Sequence, residues 1–471
     1  MIHLDEKLMG PLCKATGALA LASALALAGC GGGGAQSNAA PSTLFAANDG
    51  GGGIELWKTD GTANGTSLVK DINLGAGNSF PGGSGLFPSE FVFFNGAWFF
   101  SADDGMSGTE LWKSDGTPGG TVQVKDINST SSGASSSPRG FTVFNNALYF
   151  SADDGGNGRE LWKTDGTPGG TRLVMDIAPG MGLVGGIPGP LSSSPSGFTV
   201  FNNALYFSAD DGVHGFELWK TDAAGITAQV MDINTTSPGA NSFPRGFTVF
   251  NNALYFSADD GVNGRELWKT DGSGTVQVMD INPQLGDSSP SGLTVFNNAL
   301  YFSADDGTFG FELWKTDGGG TALVKDINLN GDSSPSGFTV FNNALYFSAD
   351  DGTGAGLWKS GGTGVTVRVG AVSLVSGLTV FNNALYFSAS DGVAGVELWK
   401  TDVNGSTVQV KGINNTTLGA PNAFTILNNA LLFSADDGVT GRELWRTDGT
   451  GAGTMQVKDI CPGNCDGVLF R

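Results

Sequence analysis

Three carboxylates recur at fixed spacing in this chain and are the natural place to look for chemistry. They are Asp153, Asp154 and Glu160 in "SADDGGNGRELW", then Asp210, Asp211 and Glu217, Asp259, Asp260 and Glu266, and Asp305, Asp306 and Glu312. Oxygen-rich loops made pliable by glycine suit Ca²⁺, which takes six to eight oxygen ligands. These residues are therefore candidate Ca²⁺ ligands, and no other cofactor is expected. The spacing D-D-G-x-x-G-x-E fits neither an EF-hand nor a D-x-D-x-D-G loop. Asp-Gly is also an ordinary hairpin turn, and a glutamate before Leu-Trp can simply be solvated or bond a neighbouring backbone. The turn is the preferred reading.

Other catalytic chemistry finds little material. The chain has 2 His; His3 lies in a segment expected to be removed, and His214 sits in a loop where sister copies carry other residues. A Ser-His-Asp site would depend on that one imidazole, and a zinc site would lack ligands. Catalysis usually breaks the symmetry of a repeat, yet no copy acquires residues the others lack. The departures fall in 353–370 and read as losses, with Gly356 in place of Glu and Gly361 in place of Asp. No catalytic residue is assigned and an enzyme is not expected.

The elements that hold these loops follow from composition and period. Of 471 residues 76 are Gly, yet 39% are hydrophobic and 31 are Phe, so a packed core with many turns is expected rather than a disordered polymer. A formal charge of -21 repels phosphate backbones, which excludes nucleic acid as a partner. "FNNALYFSADDG" returns almost letter for letter, and alignment on "ELWK" gives nine units, at Trp57, Trp112, Trp162, Trp219, Trp268, Trp314, Trp358, Trp399 and Trp445. Within 247–281 four strands are legible: "FTVFN", "ALYFSAD" after an Asn-Asn turn, "RELWKTD", and "TVQVMDI". The second is apolar on both faces, as a strand between two sheets must be; the fourth alternates, as an outer strand half in water does. Four-stranded antiparallel blades around an axis describe an all-β fold, a β-propeller. A large aromatic at one strand position per blade is expected to pack blade on blade rather than stack on sugars.

"ELWKTDGTPGGT" at 110–121 and 160–171 and "ELWRTDGTGAGT" at 443–454 resemble the bacterial ELWxxDGT repeat, and the pattern is similar to TolB-type propeller repeats and, in part, to the Asp-box. The resemblance spans nearly all of 43–460 and implies a secreted or surface bacterial protein with no established chemistry. At the other end, Leu27-Ala28-Gly29-Cys30 closes an apolar run and resembles the lipobox of bacterial lipoproteins. That resemblance implies a signal peptide over 1–29, acyl chains on Cys30, a tether over 30–42, and an extracytoplasmic protein held at a membrane, with Gly31 pointing to the outer membrane. In that compartment Cys461 and Cys465 of "CPGNC" are expected to form a disulfide.

The repeat domain spans 43–471 and allows eight to nine blades. Its first unit lacks an innermost strand, which Val468, Leu469 and Phe470 could supply, so that both chain ends share a blade and no sheet edge is left open. The functional expectation is a monomeric binding or scaffold module for a protein or glycan at the cell surface. A polysaccharide hydrolase or lyase and a Ca²⁺-stabilised adhesin are the alternatives.

Overall fold

A computed structural model describes residues 42–80, 91–184, 187–283, 286–361, 365–393, 395–414 and 419–468; the expected leader and Cys30 lie outside them. Every regular element among the described residues is a β-strand. The expected four strands appear in unit five as Arg245–Phe250, Ala253–Asp259, Arg265–Thr270 and Thr275–Met279, an antiparallel meander in sequence order. The first turn is tight because Asn251 and Asn252 both take left-handed φ, 46° and 57°, which twists the hairpin in the sense the strands need. The second strand is buried along almost its whole length, whereas the fourth alternates between partly buried and exposed positions.

The third-to-fourth turn shows what the D-G-T motif is for. Asp165 Oδ1 accepts from the Thr167 amide at 2.9 Å and hydroxyl at 2.7 Å. Thr167 Oγ1 in turn accepts from Gly170 N at 3.0 Å, and buried Thr171 donates to the Thr167 carbonyl. The loop closes on itself, an Asx-turn feeding a threonine turn. A Cβ on Gly170 would stand 2.0 Å from Asp165 Oδ1, so only glycine fits there.

The core lies between sheets rather than within them. Unit five meets unit four through Phe256, Leu254 and Trp268 against Tyr206, Leu218 and Ile233. The same pattern joins each consecutive pair of units, and one further cluster joins unit nine to unit one, with Phe45 and Trp57 packed on Leu432, Leu444 and Val457. Polar contacts repeat in step. Lys70 Nζ reaches the Thr121 carbonyl of the next unit and lies 5.8 Å from the Trp112 ring centroid; Lys458 reaches the Thr66 carbonyl and lies 5.6 Å from that of Trp57. First strands also touch in sequence. Gly140 and Gly197, at positive φ, lie against Phe198 and Phe247 of the following unit so closely that a Cβ would meet the ring at 3.0 and 2.9 Å.

Two connections depart from expectation. The sheet of unit one has three described strands, Thr43–Asn48, Ile54–Thr59 and Ser67–Lys70. The chain returns to it where expected: Asn48 N donates to the Gly467 carbonyl at 2.8 Å, as Asp153 N does to Ser136, and Val468 is fully buried. Residues 467–468 form a bend, and Leu469 and Phe470 lie outside the described residues. The long insertion over 178–196 reads from sequence as a wide loop. It instead folds in part as a hairpin, Met181–Val184 paired with Ile187–Pro190.

The Cys461–Cys465 disulfide forms as expected, with Cα atoms 5.7 Å apart. In units one, two, four, five and six the connection begins Asp-Ile-Asn, and the asparagine side chain can tie the loop across, as Asn234 Nδ2 does to the Asn241 carbonyl at 3.1 Å. Unit nine reads Asp-Ile-Cys, and a covalent bond closes its loop beside Gly50 of unit one. The double substitution Cys461→Ser, Cys465→Ser is expected to cost about 2 kcal/mol, the entropy of so small a loop. An unchanged urea midpoint would show that the hydrogen bonds suffice.

Candidate functional site

The repeated carboxylates end up in two different places. Asp153 Oδ1 accepts from Gly155 N at 2.7 Å, and Asp154 Oδ1 accepts from Gly156 N and Asn157 N at 2.9 and 2.7 Å. Asp210 and Asp211, Asp259 and Asp260, and Asp305 and Asp306 repeat these bonds. They cap the second-to-third turn at one end of the sheet. Glu160 pairs across the strands with Ala152 and points inward, with no exposed surface. It accepts from Ile177 N at 2.8 Å, Ser193 N at 2.9 Å and Ser193 Oγ at 2.5 Å. Glu217, Glu266 and Glu312 hold the equivalent isoleucine and serine in their units.

Each glutamate is thus a buried pin that gathers the exit of the fourth strand and the approach to the next first strand. The Ca²⁺ reading from sequence is not carried by this geometry. Its aspartates and glutamates do not converge, and among the described residues no group of three or more His, Cys, Asp or Glu could hold a metal ion. The physical reason is separation: each glutamate is turned inward with both oxygens held by its own connection, while the turn aspartates give only Oδ1 to the backbone amides of their turn.

Burial pushes Glu160, Glu217 and Glu443 up to about 7, against the lowering effect of their hydrogen bonds. Glu55, Glu110, Glu266, Glu312 and Glu397 are raised for the same reason. In the D-G-T turns the sign reverses. The Ser273 hydroxyl and neighbouring amides hold Asp271 down to about 2, and Thr117 and Thr167 lower Asp115 and Asp165. A group raised on folding contributes stability that is complete below its ordinary 4.5 and fades as pH climbs through the folded value. A lowered aspartate contributes above its ordinary 3.8 and loses that contribution as pH falls through the folded value. The melting temperature is therefore expected to peak near about pH 5 and to decline toward pH 8 and below pH 3. A melting temperature that rises steadily from pH 5 to pH 8 would contradict these assignments.

Unit seven lacks the glutamate, and the structure turns an apparent loss into an exchange. Arg368, paired across the strands with Trp358, occupies the space beside Gly356; a Cβ there would lie 2.6 Å from its Nε. Its guanidinium bonds both Asp351 oxygens at 3.0 Å and the Thr353 hydroxyl at 2.7 Å. With no carboxylate to pin the exit, the chain runs straight on as Thr366–Phe381, which joins the sheets of units seven and eight into one of seven strands.

The remaining candidates are structural. Trp57, Trp162, Trp268 and Trp445 are 5–6% exposed, so their faces are taken by packing rather than open to a sugar. The lysine after tryptophan balances a local carboxylate in unit six, as the sequence suggests, where Lys315 Nζ lies 2.9 Å from Asp317 Oδ2, but in units one, two and eight it reaches the next unit. Lys58, Lys113 and Lys400 donate to the carbonyls of Gly116, Gly166 and Gly449 in the following unit. His214 Nδ1 sits 2.7 Å from Asp211 Oδ2, which raises its pKa and adds a tie to that turn.

No family model matches the chain, and no curated protein matches it. Among solved structures it is similar to a computationally designed protein, Ika8, at 18% identity and a TM-score of 0.41 over 76% of this chain and 95% of that one. It is similar to a prolyl endopeptidase at 10% and 0.39, over 68% of this chain and 48% of that one. It is also similar to a puromycin-hydrolyzing peptidase of Mycobacterium tuberculosis at 10% and 0.39, over 69% and 53%. This chain spans about half the length of either peptidase. At these scores none of them assigns an activity to it.

Proposed function

We propose that the repeat domain is a closed β-propeller of nine blades, anchored outside the cytoplasm through a lipid on Cys30, that serves as a binding or scaffold module for a protein or glycan. The observation that carries this reading is the seam. Unit nine meets unit one through the packing of Phe45 and Trp57, the Lys458 bonds and the Arg446 bond to the Gly61 carbonyl. The apolar packing recurs at every other junction, and the polar ties recur from unit one to two, two to three and eight to nine. The first and last units, which cannot bury their own faces, gain a partner on both sides only if the array returns on itself. The ELWxxDGT resemblance, whose Asp and Thr close the repeated turn, supports the same architecture. The inward carboxylates are consumed as structural pins, which leaves the turns at the two ends of the sheets as the surfaces available for recognition.

Two measurements test the reading. Palmitate labelling in a bacterial host is expected in the full chain and lost in Cys30→Ser. The mature domain, screened against a glycan array and as bait for solubilised envelope proteins, is expected to retain a saturable ligand. Failure of the label overturns the anchor, and failure of both screens overturns the binding role.

A further inference from the structure

The turns at the two ends of the sheets differ in their apolar residues, although strand residues beside the first-to-second turns, such as Phe93, Val143 and Val340, are 43–45% exposed as well. In an antiparallel meander the first-to-second and third-to-fourth turns share one end. The second-to-third turns and the inter-unit connections share the other. Contacts agree: Gly105 in a second-to-third turn abuts Asn73 of the preceding connection, and Gly133 N of the following connection donates to the Met106 carbonyl at 2.9 Å.

At that second end the residue after Asp-Asp-Gly is Met106, Val213, Val262 or Val439 in four units, and Val393 stands at the same place after Ser-Asp-Gly. These five side chains are 57–88% exposed. Leu74 and Leu329, in connections that abut the turns of the following units, are 83% and 81% exposed. At the opposite end Ile226, Val365 and Val403 are the exposed large apolar residues among the described turns.

The fold does not demand these apolar tips. The turn is held by its aspartates, and Gly156 and Thr353 occupy the same position in units three and seven. Since glycine and threonine serve the turn equally well, the turn itself does not require an apolar residue at the tip. Every tip also stands beside carboxylates: Asp103 and Asp104, Asp210 and Asp211, Asp436 and Asp437. Two cations near this end are already engaged, while Arg139 and Arg245, which start their first strands there, are exposed. Arg368 is paired with Asp351, and Arg265 donates to the Phe243 carbonyl.

We propose that this end of the sheets is a docking face for a cationic, amphipathic segment of another protein, whose apolar side chains rest on the tips while its Lys or Arg side chains meet the flanking aspartates. This deepens the binding reading above and rests on it. Charge complementarity selects the occupant: the aspartates that would attract a basic segment would repel an anionic lipid surface or a phosphate backbone. Repetition of the same tip around the array lets several weak contacts add as avidity.

The test uses the full chain and a short peptide alternating lysine and valine, with a lysine–serine peptide and phosphatidylcholine vesicles as comparison probes. One variant carries Met106→Ser, Val213→Ser, Val262→Ser, Val393→Ser and Val439→Ser; a control carries Ile226→Ser, Val365→Ser and Val403→Ser at the other end. The expected result is binding of the lysine–valine peptide that weakens with salt, falls about tenfold or more in the tip variant, and changes less than about twofold in the control. Equal loss in both variants, equal binding of the lysine–serine peptide, or tip-dependent binding of the vesicles instead overturns the docking face while leaving the binding role standing. An absence of peptide binding by the unaltered chain also overturns it, and together with empty glycan and envelope screens it removes the binding role as well.

Discussion

Replacing Glu266 by Gln is expected to cost about 3 kcal/mol, although it changes one oxygen to an NH₂ group. One carboxylate oxygen accepts from Ile281 N at 2.9 Å and from Ser288 Oγ at 2.6 Å; the other accepts from Ser288 N at 3.1 Å. Each oxygen therefore faces a backbone N–H. Whichever way the amide is turned, its NH₂ meets a donor, and a buried amide hydrogen loses its acceptor. Shortening to Asp leaves the same donors unmet because the side chain no longer reaches. The cost should appear in the urea midpoint and as faster amide exchange at Ile281 and Ser288, on either side of the connection. A change of under about 0.5 kcal/mol would mean the connection is held by other bonds. Unit seven shows the alternative solution: Gly356 is tolerated there because Arg368 fills the space and binds Asp351, and because the chain no longer makes the connection at all.

Phe45→Ala is expected to cost about 3–5 kcal/mol, the same as Phe256→Ala. Both rings are fully buried, and both pair across the strands with the tryptophan of their own unit, Trp57 and Trp268. Phe256 packs on unit four, in the middle of the array; Phe45 packs on unit nine, across the seam. Equality of the two costs is the thermodynamic signature of a closed array. In an open stack the outer face of unit one would meet water, and truncating Phe45 would cost less than about 1 kcal/mol. Amide exchange gives a second reading: in a closed array Thr43–Asn48 exchanges as slowly as Ala253–Asp259, whereas an end unit frays.

The local elements were legible in the residues themselves. Alternation, the Asn-Asn pair and the Asp-Gly-Thr turn each carry their conformation in a few neighbouring side chains. The four strands of unit five accordingly sit within a residue or two of where the pattern puts them. The disulfide was legible too, because two cysteines four apart around Pro-Gly have few other options in an oxidising compartment. The repeated acidic set misled for the opposite reason. Seven residues separate Asp153 from Glu160 in the chain, a spacing that reads as one loop, and yet the carboxylate turns inward to amides 17 and 33 residues further on. Two of its three partners are backbone amides, which carry no residue-type signal, and the third is the distant hydroxyl of Ser193.

What the sequence by itself determined is the repeating unit: its strands, its turns and the aromatic positions that make each sheet unable to stand alone. Short-range sterics and burial on both faces require that much. Only the tertiary structure decided how the units are joined. It made pins of the glutamates and exchanged one for Arg368 in unit seven. It shaped part of 178–196 into a hairpin and set the contacts of unit nine on unit one. Those outcomes depend on atoms brought together from distant parts of the chain, where one buried acceptor serves donors from two strands that the sequence lists far apart.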